Sequence, residues 1–364
     1  MMQEPPAKRI RQEGEQALAL YDAGGVSNDA TDEMLQPSIP TQRLYGHKGS
    51  IYALEYAPDG QTLASGSFDK TVLLWSTGGS SNEDPNDPYY NYQSNDSANN
   101  SYKNYNQLAG HKNAVLDLTW SNDSQNIVTA SADKMVFVWD AILGTRVKKL
   151  KGHGGVVNAV DCCKSINCIG SASDDCTVKI WDARQKKAVA TLTHDYQVTS
   201  VAFSLDGSNV YSAGIDNDIF AWDVRQVDAE MPIMSMKGHK DTVTCLKMSP
   251  NGNYLLSNSM DGAIKMWDVR PFVEGDNRES KVFVGSKHSA ERGLLKCAWS
   301  AHGDMVTGGS SDQVVHIWDE LTTEELYYLP GHDGCVNSVV FHPKEHVIAS
   351  GSSDKTIYVG ELSN

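Results

Sequence analysis

The chain has 364 residues, 40% of them apolar, and a net charge of −15. No apolar run approaches the roughly 18 residues that cross a bilayer as a helix, and the polar residues 1–12 carry no secretory core. The acidic balance excludes a protein that grips nucleic acid over its whole surface. Seven Cys without paired spacing exclude a disulfide framework and point to a reducing compartment.

Residues 1–40 are rich in Gln, Glu, Pro and Asp without periodicity and are expected to form a disordered tail. Within them Lys8, Arg9 and Arg11 read either as a nuclear import signal or as a solvated charge run. Length alone suggests two or three domains, but internal repetition overrides that prior. From residue 46 onward a Gly-His or similar pair recurs, with His47, His111, His153, His194, His239, His288 and His332. An Asp in a Ser/Gly-rich turn follows each: Asp69, Asp133, Asp175, Asp216, Asp261, Asp312 and Asp354. The His-to-Asp interval is 22 residues in six copies and 24 in the sixth. Six residues after each Asp stand Trp75, Trp139, Trp181, Trp222, Trp267 and Trp318, with Gly360 in the last copy. Alternating strand-like runs such as Thr-Val-Lys-Ile-Trp (177–181), separated by turn signals, fill each unit.

A His, a Ser and an Asp in one unit suggest a catalytic triad, for example His153, Ser171 and Asp175. An active site occurs once per chain, however, and this constellation occurs seven times. Buried imidazole and indole N–H groups need acceptors and a turn carboxylate needs donors, so a structural hydrogen-bonded set is expected. Thr193 and Lys287 replace the Gly before His, Ser76 replaces the Asp after Trp75, and Gly360-Glu361 replaces Trp-Asp. Cys162, Cys163, Cys168 and Cys176 lack zinc-site spacing and are expected on core strands. No phosphate-binding or dinucleotide motif is present, so neither a cofactor, a metal nor an enzymatic activity is expected.

Residues 78–104 interrupt the first unit with Ser, Asn, Asp and Tyr and are expected to form a low-complexity loop between its third and fourth strands. Tyr89, Tyr90, Tyr92, Tyr102 and Tyr105 give that segment adhesive potential.

The spacing of Gly-His, Asp and Trp-Asp over residues 41–364 resembles the WD-repeat family. The resemblance implies an all-β fold, a seven-bladed WD-repeat β-propeller of four-stranded blades, with residues 41–45 completing the last blade beside residues 356–362. It also implies that His, Ser/Thr, Asp and Trp form one stack in each blade. Finer stretches narrow the likeness: Gly-Ile-Asp-Asn-Asp-Ile (214–219), Tyr-Leu-Leu-Ser-Asn (254–258), Trp-Asp-Val-Arg-Pro-Phe (267–272), Leu-Pro-Gly-His (329–332) and a last blade without Trp. They are similar to the small WD-repeat subunits of the spliceosomal U-five small nuclear ribonucleoprotein. That implies a nuclear, non-catalytic scaffold acting in pre-mRNA splicing. Its partners would be spliceosomal proteins, chiefly the central scaffold protein and the neighbouring GTPase. RNA contact would be indirect or minor, with no membrane and no small-molecule substrate.

Partner contacts are expected at the residue before each turn Asp, where Phe68, Ile215 and Met260 are large and apolar and Tyr196 stands nearby. On the opposite face, Trp-Asp-x-Arg boxes end at Arg184, Arg225 and Arg270. These resemble the boxes of substrate receptors of cullin–RING ubiquitin ligases, the alternative function. Otherwise each Arg simply pairs with Asp at the blade rim.

Overall fold

The computed structural model describes residues 41–77, 102–185, 187–225, 231–273, 277–289 and 293–362. The expected tail with Lys8, Arg9 and Arg11, and residues 78–101 of the expected insertion, lie outside the described residues.

Twenty-eight strands form seven four-stranded antiparallel sheets. After β1 (Gln42–Leu44), blade 1 comprises β2 (Ile51–Tyr56), β3 (Thr62–Ser67), β4 (Thr71–Ser76) and β5 (Lys103–Ala109). Blade 2 comprises β6 (Val115–Trp120), β7 (Asn126–Ser131), β8 (Met135–Asp140) and β9 (Arg146–Lys151). Blade 3 comprises β10 (Val157–Cys162), β11 (Cys168–Ser173), β12 (Thr177–Asp182) and β13 (Ala188–Thr193). Blade 4 comprises β14 (Val198–Phe203), β15 (Asn209–Gly214), β16 (Ile219–Asp223) and β17 (Met234–Met236). Blade 5 comprises β18 (Val243–Met248), β19 (Tyr254–Ser259), β20 (Ala263–Asp268) and β21 (Glu279–Val284). Blade 6 comprises β22 (Cys297–Trp299), β23 (Met305–Gly308), β24 (Val314–Asp319) and β25 (Glu325–Pro330). Blade 7 comprises β26 (Val336–Phe341), β27 (Val347–Ser352) and β28 (Ile357–Glu361), and β1 supplies its fourth strand.

The first strand of every blade packs on the first strand of the next, and β26 returns to β2, so the sheets form a ring. Gln42 pairs with Val359 and Leu44 with Ile357, which fastens the ring by joining the start of the propeller to its end. This closure removes the exposed edges that an open stack would leave at the two ends. A register shift recurs between the first and third residues of the innermost strand in six blades, beginning with Ile51/Ala53. It marks a bulge that bends each inner strand at the same place.

The core lies between blades. One apolar cluster joins Ala64 and Val72 of blade 1 to Val115, Ile127 and Phe137 of blade 2; another joins Ala349 and Ile357 of blade 7 to Ile51 and Leu63 of blade 1. The alternating Val, Ile and Leu of the strands thus point into both neighbouring interfaces.

Two local expectations change. The segment drawn as insertion to residue 104 ends earlier, because Lys103 already pairs with Ser76 in β5. Tyr102 and Tyr105 are half-buried rather than adhesive, with the Tyr102 hydroxyl 3.0 Å from that of Tyr56. Of the four clustered Cys, only Cys162 and Cys168 lie on strands. Cys163 is buried just past β10, and Cys176 occupies a turn at φ +63°.

Candidate functional site

Each repeated Asp caps the turn between the second and third strands of its blade. The Gly before His lets the entering loop pass over the indole. A Cβ on Gly46, Gly110 or Gly152 would stand 2.9–3.2 Å from the nearest Trp carbon. The imidazole then drops between turn and sheet. In blade 3, His153 Nδ1 is 2.9 Å from Asp175 Oδ2, and His153 Nε2 is 2.7 Å from Ser171 Oγ. The Trp181 indole donates to the same Ser171 Oγ at 2.8 Å. The carboxylate only accepts, so Nδ1 carries the proton. Nε2 accepts from the hydroxyl, and the hydroxyl oxygen accepts from the indole. Every donor has an acceptor, with none left for a substrate.

The same four-membered chain forms in three further blades: His47, Asp69, Ser65 and Trp75; His111, Asp133, Thr129 and Trp139; His239, Asp261, Ser257 and Trp267. The amide after each His donates to the carboxylate as well, as Lys48 does at 2.8 Å. Burial alone would raise these carboxyls. The His, hydroxyl and amide donors outweigh it, holding Asp175 at about 2 and keeping Asp69, Asp133 and Asp261 below the ordinary range.

Three blades differ. In blade 7, His332 bridges Asp354 at 2.8 Å and Ser350 at 2.8 Å, but no indole follows. Tyr358 fills part of that space, its ring edge-on to His332 and its hydroxyl donating to the Gly331 carbonyl. In blade 4, His194 reaches Ser212 at 3.1 Å and Trp222 donates there at 2.8 Å, but no bond joins His194 to Asp216. Thr193 stands where blades 1, 2, 3, 5 and 7 have Gly, and its Cβ cannot follow a path that nearly touches the indole. Burial therefore lowers His194 to about 4 and raises Asp216 to about 6, without a mutual bond to offset either shift.

Blade 6 overturns the expected pairing of His288 with Asp312 and Trp318. His288 faces Asn258 of blade 5 at 3.4 Å. Asp312 instead binds His316 Nε2 at 3.2 Å and accepts from Ser310 Oγ at 2.6 Å. Trp318 donates to the Val284 carbonyl. The cause is Gly308, four residues before Asp312, where the other blades carry Ser or Thr. Without that hydroxyl neither His288 nor Trp318 has its acceptor. Ile264 fills the space, its Cδ1 only 2.3 Å from where a Cβ on Gly308 would lie. Burial would lower His316, but Asp312 and Glu325 on its two ring nitrogens raise it to about 9.

The ring centre holds a second polar assembly that the repeat pattern does not announce. Lys296 of blade 6 pairs with Asp117 of blade 2 at 2.5 Å, joining blades that are not neighbours. The Glu55 carboxylate of blade 1 raises Lys247 of blade 5, while burial pushes Glu55 up to about 7.

Of the expected contact residues, Phe68, Tyr196 and Ile215 are exposed, whereas Met260 is half-buried. Each such turn donates its amide to the loop entering the innermost strand, Phe68 to Ser50 and Ile215 to Gln197, so these residues share the Gly-His face. Tyr45, beside Gly46, is 66% exposed on that face and was not singled out from the sequence. Its signal, an aromatic just before Gly-His, was available. On the other face Ile142, Leu143, Phe272 and Leu321 project from turn tips that sequence reading also passed over. Arg184, Arg225 and Arg270 each fold back on the Asp two residues earlier.

The WD domain, G-beta repeat model matches seven times, at residues 38–76, 102–140, 144–182, 186–223, 230–268, 280–319 and 323–359. The chain is 40% identical over 357 residues to the pre-mRNA-splicing factor cwf17 of Schizosaccharomyces pombe, covering 98% of this chain and 95% of that protein. It is 42% identical to the U5 small nuclear ribonucleoprotein 40 kDa proteins of Dictyostelium discoideum and Homo sapiens, covering 89% of this chain and 84% of each. The chain belongs to the WD-repeat family, in the group formed by cwf17 and the U5 small nuclear ribonucleoprotein 40 kDa proteins.

Proposed function

We propose that the chain is a non-catalytic scaffold of the spliceosomal U5 small nuclear ribonucleoprotein, acting in pre-mRNA splicing in the nucleus. It docks on the central spliceosome scaffold protein, beside the GTPase. The observation that carries this reading is identity of 40–42% over nearly the whole chain to splicing proteins of fungus, amoeba and human. The internal saturation of the His–Ser/Thr–Asp–Trp sets supports a role without catalysis, since function must then come from the surface. Phe68 in blade 1 and Tyr196 and Ile215 in blade 4 are the docking residues we propose. They stand on distant sectors of one face, so a partner that touches both spans the mouth of the ring. The ligase reading has less support, because the guanidinium groups of its three boxes are engaged by their own turns.

Affinity purification of the tagged full chain with mass spectrometry tests this reading. Enrichment of spliceosomal proteins, the central scaffold among them, is the expected result. Recovery of a cullin and its adaptor without spliceosomal proteins would contradict it.

A further inference from the structure

The whole-chain charge of −15 conceals a local reversal: residues 141–193 carry nine Lys and Arg against four Asp. All four carboxylates are engaged. Asp161 accepts from the Phe203 amide, Asp174 from Asn158, Asp175 belongs to the blade 3 set, and Asp182 pairs with Arg184. Among the described residues, Arg184 is the only cation of this stretch in an ion pair.

Six of the remaining cations, Arg146, Lys148, Lys149, Lys151, Lys179 and Lys187, gather towards the outer wall of blades 2 and 3, whereas Lys164 lies apart on the turn after β10. β9 reads Arg-Val-Lys-Lys-Leu-Lys, with Arg146, Lys149 and Lys151 exposed and Lys148 half-buried. It is the outermost strand of blade 2. The wall continues onto blade 3, where the Lys148 ammonium binds the Ala183 carbonyl. Lys179 lies beside Gly152, and exposed Lys187 leads into β13.

We infer that this wall binds the sugar–phosphate backbone of double-stranded RNA. Among the described residues these cations form no ion pair; Lys149 and Lys151, opposite Phe137 and Met135, stand about 6.6–6.8 Å apart on one face of β9, and the register shift at Val147 brings Arg146, opposite Trp139, onto the same face. Trp181 is the only Phe, Tyr or Trp of residues 141–193 and is fully buried, so the wall has no platform on which single-stranded bases stack. What it offers is a row of cations for phosphates, the mode that recognises an RNA duplex by shape and charge without reading bases. A whole-chain charge count averages this patch away. The inference is independent of which proteins the chain docks on.

The test uses the full chain and a fluorescein-labelled RNA hairpin of about 16 base pairs, followed by anisotropy between about 50 and 200 mM salt. The variant Lys149→Gln/Lys151→Gln/Lys187→Gln is compared with Lys48→Gln/Lys240→Gln/Lys344→Gln, which removes the same charge from exposed lysines elsewhere. The wall variant is expected to bind at least about tenfold more weakly at low salt and to lose about 2 to 3 from the salt slope, near one per lysine. The control triple is expected to change affinity less than about twofold. Should the wall triple fail to fold, Lys149→Gln and Lys187→Gln singly are each expected to lose about one from the slope. Equal effects of the two triples would overturn the inference, as would absence of binding by the unmodified chain. Displacement of the hairpin by polyglutamate more readily than by unlabelled RNA of equal charge would overturn it too, assigning the wall to an acidic protein segment.

Discussion

Blades 3 and 6 carry the same His, Asp and Trp in nearly the same order, yet only blade 3 assembles them. His153, Ser171, Asp175 and Trp181 form one continuous chain of donors and acceptors. His288, Asp312 and Trp318 part company, and His316 takes over the carboxylate. The hub of the set is therefore the small hydroxyl rather than its conspicuous members. Ser171 Oγ is where imidazole and indole meet, and blade 6 has Gly308 in its place.

That comparison can be broken most forcefully at the hub. Ser171→Ala leaves the Trp181 N–H and His153 Nε2 buried without partners, and about 2–4 kcal/mol of unfolding free energy should be lost in denaturant titrations. The reverse graft does not rescue blade 6. Gly308→Ser drives a Cβ into Ile264, so a loss of about 1–3 kcal/mol is expected, and Ile264→Ala in the same chain should recover part of it. Next in size is the exchange of histidines. His316→Ala strands Asp312 beside Glu325 and should cost about 1.5–3 kcal/mol. His288→Ala should cost less than about 1 kcal/mol, because its one described bond is long. A cost at His288 equal to that of His153→Ala would remove the distinction between the blades.

Acid and base sharpen the contrast. The folded pKa of Asp175 is depressed to about 2, so its contribution is present above the ordinary carboxyl value of 3.8 and is lost as pH falls through about 2. The folded pKa of His316 is raised to about 9, so its contribution is full below 6.5 and is lost as pH rises through about 9. The stability gap between the unmodified chain and His316→Gln, followed by thermal unfolding, should therefore close between about pH 6.5 and 9. A gap that stays constant across that window would argue against a charged imidazole in blade 6. The smallest expected effect on stability is at the surface. Phe68→Asp/Ile215→Asp should change unfolding by less than about 0.5 kcal/mol while reducing recovery of spliceosomal partners. Undiminished recovery would move the docking site elsewhere.

Most of the ring was legible because the repeat spacing and the alternating strand runs report the same geometry. Closure by a strand within residues 41–45 was implied by the family resemblance, and the strand spans Gln42–Leu44. The failures have physical causes that lie outside the spacing. The unbroken 22-residue interval of blade 4 hid the loss of its His–Asp bond, although Thr193 before His194 already signalled a side chain against the indole. His316 lies outside the His–Asp–Trp spacing, because its role depends on Gly308 at a position that spacing does not include. Lys296 and Asp117 were invisible, since nothing in a local pattern says which residues of distant blades face each other across the ring. Met260 shares its turn position with Phe68 and Ile215 but is half covered by its surroundings, which a turn-tip rule does not capture.

The most direct test of the hydrogen-bonded His–Asp sets, and of their exchange for His316 in blade 6, is a long-range nitrogen–proton NMR spectrum of the histidine rings in the full chain at pH 7. His47, His111, His153, His239 and His332 are expected to appear as the Nδ1–H tautomer, with that proton slow to exchange, and His316 as a doubly protonated ring. Rings of mixed tautomer with rapidly exchanging protons, or a neutral His316 indistinguishable from His153, would contradict it.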